Sequence, residues 1–368
     1  MELVDTSIGI KEILGDIPIL AASIRVTKRC NAFCKHCYGN SGEPFNNELT
    51  TREIKKLIDV YSDEFGVKKI FFTGGEPFAR GDIVEILQYA YYKNMEILIS
   101  TNGSLLTKDI LKEIQNINFS MFQISIDGPK EIHNKIRGDG FFEKAINALK
   151  LLKELNFKNV TIATCLMKEN YDQINKIIDI VVEYEVDIYS LVLLLVAGRA
   201  NSELDVTSQE LKLAINDLFS AYRKYKGKFK LAENSIIPPA LVPANLREEG
   251  LHKQFEVCCA FPNIIGIEAN GDVAPCDGFF TFPEYIAGNI RESSVLDIWE
   301  RSNVFSKLSE LNRLDIKGVC SKCIFLSTCA GSCRASAYAY YKDIHAPFPT
   351  CQKLYEEGLF PPDCIVGE

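Results

Sequence analysis

An α/β fold is predicted for this 368-residue chain: a partial (β/α)6, TIM-like barrel followed by a small cysteine-rich domain. Three observations predict it. Short β-rich runs alternate with amphipathic helical segments from about residue 22 to 225. Prolines 238, 239 and 243 then mark a connector, and nine of the thirteen cysteines fall after residue 257. Strand followed by helix, six times over, requires parallel pairing with right-handed crossovers.

The strands are read in order as "SIRVT" (23–27), "KKIFFT" (68–73), "MEILIS" (95–100), "MFQISI" (121–126), "VTIATC" (160–165) and "IYSLVLLLV" (188–196). Segments such as "TREIKKLIDVYSDEF" and "FFEKAINALKLLKEL" place apolar residues at three- and four-residue steps, the helical period. Thr50 and Thr51 ahead of "REIKK" supply a helix cap. A site in such an open barrel is expected where loops converge at the C-terminal strand ends. The domain boundary is expected near residue 235, with a barrel over 1–235 and the cysteine-rich domain over 236–368.

Composition narrows the function. Hydrophobic residues make up 47% of the chain, enough for a full core. No run of about 18 apolar residues occurs, and the N-terminus lacks a basic start and a small-residue cleavage site. A cytoplasmic protein without a membrane partner is therefore expected. The net charge of −8 comes with no basic tract, which argues against a nucleic-acid partner.

In a reducing compartment, clustered cysteines read as metal ligands before disulfides. "TKRCNAFCKHCYGN" puts Cys30, Cys34 and Cys37 within eight residues, an odd number for disulfides and one short of a closed zinc site. Three thiolates on a loop after the first strand suit a [4Fe–4S] cluster with one iron left free for a ligand. Zinc remains the alternative if His36 joins them. Cys165, in the apolar-rich "VTIATCLM", reads as a buried, inert thiol.

This Cys-x3-Cys-x2-Cys loop resembles that of the radical S-adenosylmethionine (SAM) superfamily. The resemblance implies that the free iron binds SAM, that an electron from the cluster cleaves it to a 5′-deoxyadenosyl radical, and that the radical abstracts a substrate hydrogen. Other strand ends match the family in order. Gly74, Gly75 and Glu76 of "FTGGEPF" fit its GGEP turn, where glycine allows close approach to the ligand and Glu76 would pair with the methionine ammonium. Ser100 and Asn102 of "ISTNG" fall near the ribose or methionine side. Ser125 and Arg137 of "ISIDGPKEIHNKIRG" match positions that hold the SAM carboxylate, and Leu195 would pack on adenine. Taken singly, GGEP and Asp127-Gly128-Pro129 are also ordinary turns.

The second cysteine field resembles the SPASM extension of that superfamily. Cys320, Cys323, Cys329 and Cys351 would close one auxiliary cluster, and Cys259, Cys276 and Cys333 would hold another, for three [4Fe–4S] clusters with SAM as co-substrate. Adjacent Cys258 and Cys259 stand where relatives with a closed nearer cluster carry separated cysteines. We read one of the two as a ligand and one iron of that cluster as open. Two zinc knuckles are the plain alternative. Asp277 matches an aspartate that acts as base in sulfatase-maturing relatives; "CDG" is also turn chemistry. Cys364 lies outside the pattern and reads as surface or structural, or as a resolving thiol. His133 and His345 call for no role, and Tyr338, Tyr340 and Tyr341 are expected to pack on the cluster domain.

The resemblance implies a peptide maturase forming a thioether or carbon–carbon crosslink, or an oxidation, with the auxiliary clusters taking the leftover electron. A tetrapyrrole side-chain decarboxylase is the alternative, followed by a peptide epimerase or a formylglycine maturase of the sulfatase type. With 29 residues before Cys30, a separate leader-recognition protein is expected, together with ferredoxin or flavodoxin as electron donor.

Overall fold

In the computed structural model, the residues described are 21–233, 236–255, 264–311 and 315–366. Six parallel strands form the body of the sheet: β1 (Ala21–Arg25), β2 (Lys69–Thr73), β3 (Glu96–Thr101), β4 (Phe119–Ser125), β5 (Val160–Leu166) and β6 (Ile188–Leu193). They match the six expected strands, each within a few residues. β1 stops at Arg25, and Val26 and Thr27 already belong to the cysteine loop.

The sheet is wider than expected. β7 (Lys230–Leu231) extends it beside β6, while β8 (Ile264–Ile267) lies parallel to β1 on the other side. β9 (Asp272–Ala274) and β10 (Gly288–Asn289) continue from β8 antiparallel, giving the order β10-β9-β8-β1-β2-β3-β4-β5-β6-β7. These four strands have two to four residues each, too few for a period of two to show in sequence. Residue 235 lies outside the described residues, and the sheet runs on into the C-terminal segment through β8.

Helices α1 (Thr51–Asp59), α2 (Ile83–Tyr92), α3 (Lys108–Ile114), α4 (Lys130–Arg137), α5 (Phe141–Glu154), α6 (Ile174–Glu183) and α7 (Ser208–Lys224) make the crossovers. Thr50 caps α1 in a reciprocal capping box with Glu53, as its position before "REIKK" predicts. The strand faces divide sharply. Ile24, Ile70, Phe72, Ile97, Ile99, Phe122, Ile124, Ile162 and Leu191 are fully buried against the helices. Each such side chain contributes roughly 1.5–3 kcal/mol. By register, Ser23, Arg25, Thr73, Ser100, Gln123, Ser125 and Ser190 alternate with them on the opposite face. One face therefore holds the fold, and the other is a lumen in which these polar side chains are interspersed with Phe71, Leu98, Met121 and Ala163. Among the described residues no helix is long and apolar enough to cross a membrane.

Candidate active site

The cysteine loop sits over the C-terminal end of this lumen and is braced by one strand end after another. From β2, the Gly75 and Glu76 amides donate to the Thr27 and Arg29 carbonyls at 2.7 and 2.8 Å. A Cβ on Gly74 or Gly75 would stand 2.4 Å from the Thr27 oxygen or 2.2 Å from the Arg29 oxygen. The close approach that demands glycine is thus to the cysteine loop itself, where a ligand had been expected. From β3, Asn102 donates to Asn31 at 3.1 Å, and Asn31 donates to Ser104 at 2.8 Å. From β4 and α4, Arg137 reaches the Cys34 sulfur at 3.8 Å, and the Lys35 amide donates to the Ile136 carbonyl at 3.2 Å.

Glu76 is fully buried. Its carboxylate accepts from the Phe78 amide, the Thr101 hydroxyl at 2.6 Å and the Asn102 amide at 2.8 Å. Burial raises its pKa, against the pull of those three donors. In this way it ties the end of β2 to the end of β3. Arg137 is likewise held from within. Its Nε donates to buried Asp127 at 2.6 Å, and Nη2 lies 3.3 Å from His36. Burial opposes the Asp127 charge, yet Arg137, His36 and His133 hold its pKa down to about 2. Ser100 accepts from Gln123 at 2.7 Å on the lumen face, and Ser125 lies one strand position further along β4 on that face. Leu195 lies beyond the end of β6 and packs in a cluster with Cys276 and Phe279.

Two residues that sequence reasoning passed over belong here. Arg25, on β1, makes a buried ion pair with Glu268 at 2.6 Å and donates to Ser41 in the cysteine loop at 3.2 Å. Arg199, in the loop after β6, spans the cysteine loop from outside. Neither stands in a motif; both act across more than 150 residues or through a strand that sequence did not reveal. Cys165 packs against Ile136, Met167, Leu194 and Ala200, in keeping with an inert thiol. It lies on the lumen face of β5, partly exposed, in the field of Asp127, Arg137 and Cys34, with its thiol pKa pushed up by burial.

Asp277 enters the lumen from the C-terminal segment. Its two oxygens accept from Ser23 at 2.7 Å and Thr73 at 2.6 Å, hydroxyls of adjacent strands. It follows Cys276, which is buried with Phe279, Ala330 and Ala335, and Cys333 packs against the same cluster. Cys258 and Cys259 lie outside the described residues.

Cys320, Cys323, Cys329 and Cys351 converge on one apolar cavity walled by Val319, Phe325, Leu326, Phe348 and Phe360. Amides of Phe348 and Phe325 donate to the Cys320 and Cys323 sulfurs, both at 3.4 Å. Burial raises all four thiols, Cys329 to about 12. Arg334, fully buried, donates to the Ile344 and Ala346 carbonyls and to Gly331, knitting the shell together. Cys364 is fully buried beside this cavity, which excludes the surface reading. Tyr338 packs on Phe282 and Tyr285, whereas Tyr340 and Tyr341 are exposed and meet edge to face.

Both cysteine groups fit iron–sulfur clusters. Among the described residues every cysteine is a free thiol, and backbone amides point at sulfur in each group: Ala32 to Cys30 at 3.5 Å, Ser41 to Cys37 at 3.4 Å. Burial holds Cys30 at about 11, so metal binding there releases protons.

Comparison with known proteins agrees with this geometry. The model of the radical SAM superfamily matches residues 24–181, and that of the SPASM iron–sulfur cluster-binding domain matches residues 258–324. An Fe-coproporphyrin III synthase of Methanosarcina barkeri is 31% identical over 90% of this chain and 87% of its own length. The mycofactocin maturase MftC of Mycobacterium tuberculosis is 28% identical over 93% of this chain and 85% of its own. In fold, the crystal structure of Streptococcus suis SuiB bound to S-adenosylmethionine superposes with a TM-score of 0.74, covering 91% of this chain and 77% of that one at 19% identity. The chain belongs to the radical SAM superfamily, in the branch that carries a SPASM domain. It is an enzyme that works with iron–sulfur clusters and SAM.

Proposed function

We propose that this radical SAM/SPASM enzyme modifies a ribosomally made peptide, forming a crosslink or an oxidised residue after hydrogen abstraction. The observation that carries this reading is the charge state of the lumen. Arg25 is paired with Glu268, Arg80 with Asp82 and Arg137 with Asp127, while Arg199 is engaged by carbonyls. Beside these, the lumen offers hydroxyls, an amide, the Asp277 carboxylate, the Cys165 thiol and the apolar side chains of Phe71, Leu98 and Met121. A polycarboxylate would find no unpaired cation among these side chains, since the free edge of Arg137 would be taken by the SAM carboxylate, and burying unpaired charge is costly. A peptide backbone, neutral and rich in hydrogen-bonding groups, meets complementary partners.

Cys30, Cys34 and Cys37 would hold the cluster that binds SAM; Cys320, Cys323, Cys329 and Cys351 would hold a closed auxiliary cluster; Cys276, Cys333 and one of Cys258 and Cys259 would hold a third. When bound, SAM and the first cluster supply a 5′-deoxyadenosyl radical that takes one substrate hydrogen. The chain's own groups do the rest. Ser100 and Asn102 would line the ribose or methionine side of SAM, and Ser125 with Arg137, itself fixed by Asp127, would hold its carboxylate. Asp277, steadied by Ser23 and Thr73, would take the proton released as the substrate loses its second hydrogen, and the electron left behind would pass to an auxiliary cluster held by the SPASM cysteines. A ferredoxin or flavodoxin donates the electron, and a separate leader-recognition protein delivers the peptide.

A tetrapyrrole substrate is the second reading, favoured by the coproporphyrin synthase among the relatives. The test is anaerobic turnover of reconstituted enzyme with SAM and dithionite on peptides encoded beside its gene, read by mass spectrometry. A peptide lighter by two hydrogens supports the maturase; SAM cleavage with every peptide unchanged, together with decarboxylation of an added coproporphyrin, overturns it.

A further inference from the structure

The segment after β6 makes a set of contacts that the proposed chemistry leaves unexplained. The Arg199 amide donates to the Cys37 carbonyl at 3.0 Å. Its guanidinium donates through Nε to the Cys34 carbonyl at 2.9 Å, and through Nη1 to the Ser41 carbonyl at 2.7 Å and the Asn40 side chain at 3.2 Å. The same guanidinium lies 4.0 Å from the centroid of the Phe33 ring, a ring that is 75% exposed. The preceding Gly198 has φ +62, and a Cβ there would stand 2.2 Å from the Tyr38 carbonyl oxygen. Two consecutive residues therefore grip the loop from Phe33 to Ser41 across some 160 positions of chain.

We propose that Arg199 is a positioning residue, which holds the cysteine loop folded in its metal-receiving shape before any metal arrives. This rests on the reading that Cys30, Cys34 and Cys37 are the ligands of a cluster. The physical need is plain. Within the loop, the Cys37 amide reaches the Cys34 carbonyl only at 3.4 Å and the Asn40 amide reaches Cys37 at 3.2 Å, both long for backbone bonds. A planar guanidinium spans two carbonyls at fixed geometry, which a lysine ammonium on its flexible stem cannot do. Ligand shells held by such outer contacts lose less entropy when the metal binds. The same stretch of chain carries Leu195 and Ala197, which pack with Cys276 and Phe279, so the latch also fixes the loop relative to the SPASM cysteines.

The test uses the full-length, metal-free, reduced chain and iodoacetamide, with alkylation of each cysteine followed by mass spectrometry. Cys34 is buried in the loop, and Cys351, equally buried in the distant cavity, is the internal reference. Arg199→Ala is expected to speed alkylation of Cys34 at least tenfold while Cys351 is unchanged. Arg199→Lys is expected to fold normally and still speed Cys34 several-fold. After reconstitution, the electron paramagnetic resonance signal assigned to the SAM-binding cluster should weaken or broaden in both variants, with the auxiliary signals intact. An unchanged Cys34 rate in both variants overturns the proposal. So does an equal rise at Cys34 and Cys351, which would make Arg199 a general core residue. Failure of the wild-type loop to take up any cluster would instead remove the functional reading, and the alkylation result would stand apart from it.

Discussion

The cysteine loop after β1 and the four-cysteine cavity near the C-terminus both gather thiols, but by opposite means. The loop is held by polar contacts from four strand ends, and two of its cysteines, Cys30 and Cys37, remain partly exposed. The cavity is held by apolar packing, with Val319, Phe348 and Leu354 essentially buried around Cys320 and Cys351. Polar bracing leaves one side of a ligand set open to the lumen; an apolar shell closes it. A catalytic position needs access, whereas an electron-handling or structural position gains from exclusion of water. Asp277 stands where the two regions meet, carried by the C-terminal segment and anchored on β1 and β2.

The sharpest break of this comparison is at the ligands. Cys30→Ala is expected to abolish all SAM cleavage, while Cys320→Ala keeps uncoupled cleavage to 5′-deoxyadenosine but loses product. Chromatography of the nucleoside products checks both, and equal loss of cleavage in the two variants would dissolve the division of labour. Next is Asp277→Asn, which keeps the size but leaves one oxygen to accept from Ser23 or Thr73. Product formation is expected to fall by about 100-fold, the scale of a removed general base, with SAM cleavage retained. Unaltered product yield would return Asp277 to the role of a turn residue.

A smaller effect separates the polar region by pH. Burial, and then the Arg137 charge, lower the pKa of His133 to about 4. A free imidazole titrates near 6.5, so the unfolded chain binds the proton more readily between these values. His133 therefore contributes stability that is present above about pH 6.5 and lost as pH falls toward 4, worth roughly 3 kcal/mol. Calorimetry of the metal-free protein from pH 7 to 4 should show Tm falling, with a shallower fall in His133→Asn; parallel curves would contradict this. The smallest change is expected at Cys364. It is fully buried, its thiol raised to about 11 by burial, so Cys364→Ala should cost about 1 kcal/mol and leave turnover intact. Loss of turnover would restore it as a resolving thiol.

Much of this was legible along the chain, because it rests on local pattern. Short β-rich runs placed β1 to β6, Thr50 and Thr51 announced the cap of α1, and Cys-x3-Cys-x2-Cys marked the loop. Spacing also grouped Cys320, Cys323, Cys329 and Cys351, which do line one cavity. The roles of Gly74, Gly75 and Glu76 were less legible. Their residue types were right for a tight turn, but what the turn approaches is set by a partner strand, and that partner is the cysteine loop.

By itself, then, the sequence determined the order of strands and helices, the two thiol groups and the superfamily, since each is carried by short motifs legible along the chain. Only the tertiary structure decided that β8 joins β1, that Glu268 neutralises Arg25, that Asp277 meets Ser23 and Thr73, and that Arg199 latches the loop. Those contacts join residues from about 160 to 250 positions apart. A single side chain carries no record of its distant partner; the partner is chosen when apolar burial on the helix-facing side of the sheet sets the register and leaves the other face to meet whatever it encloses.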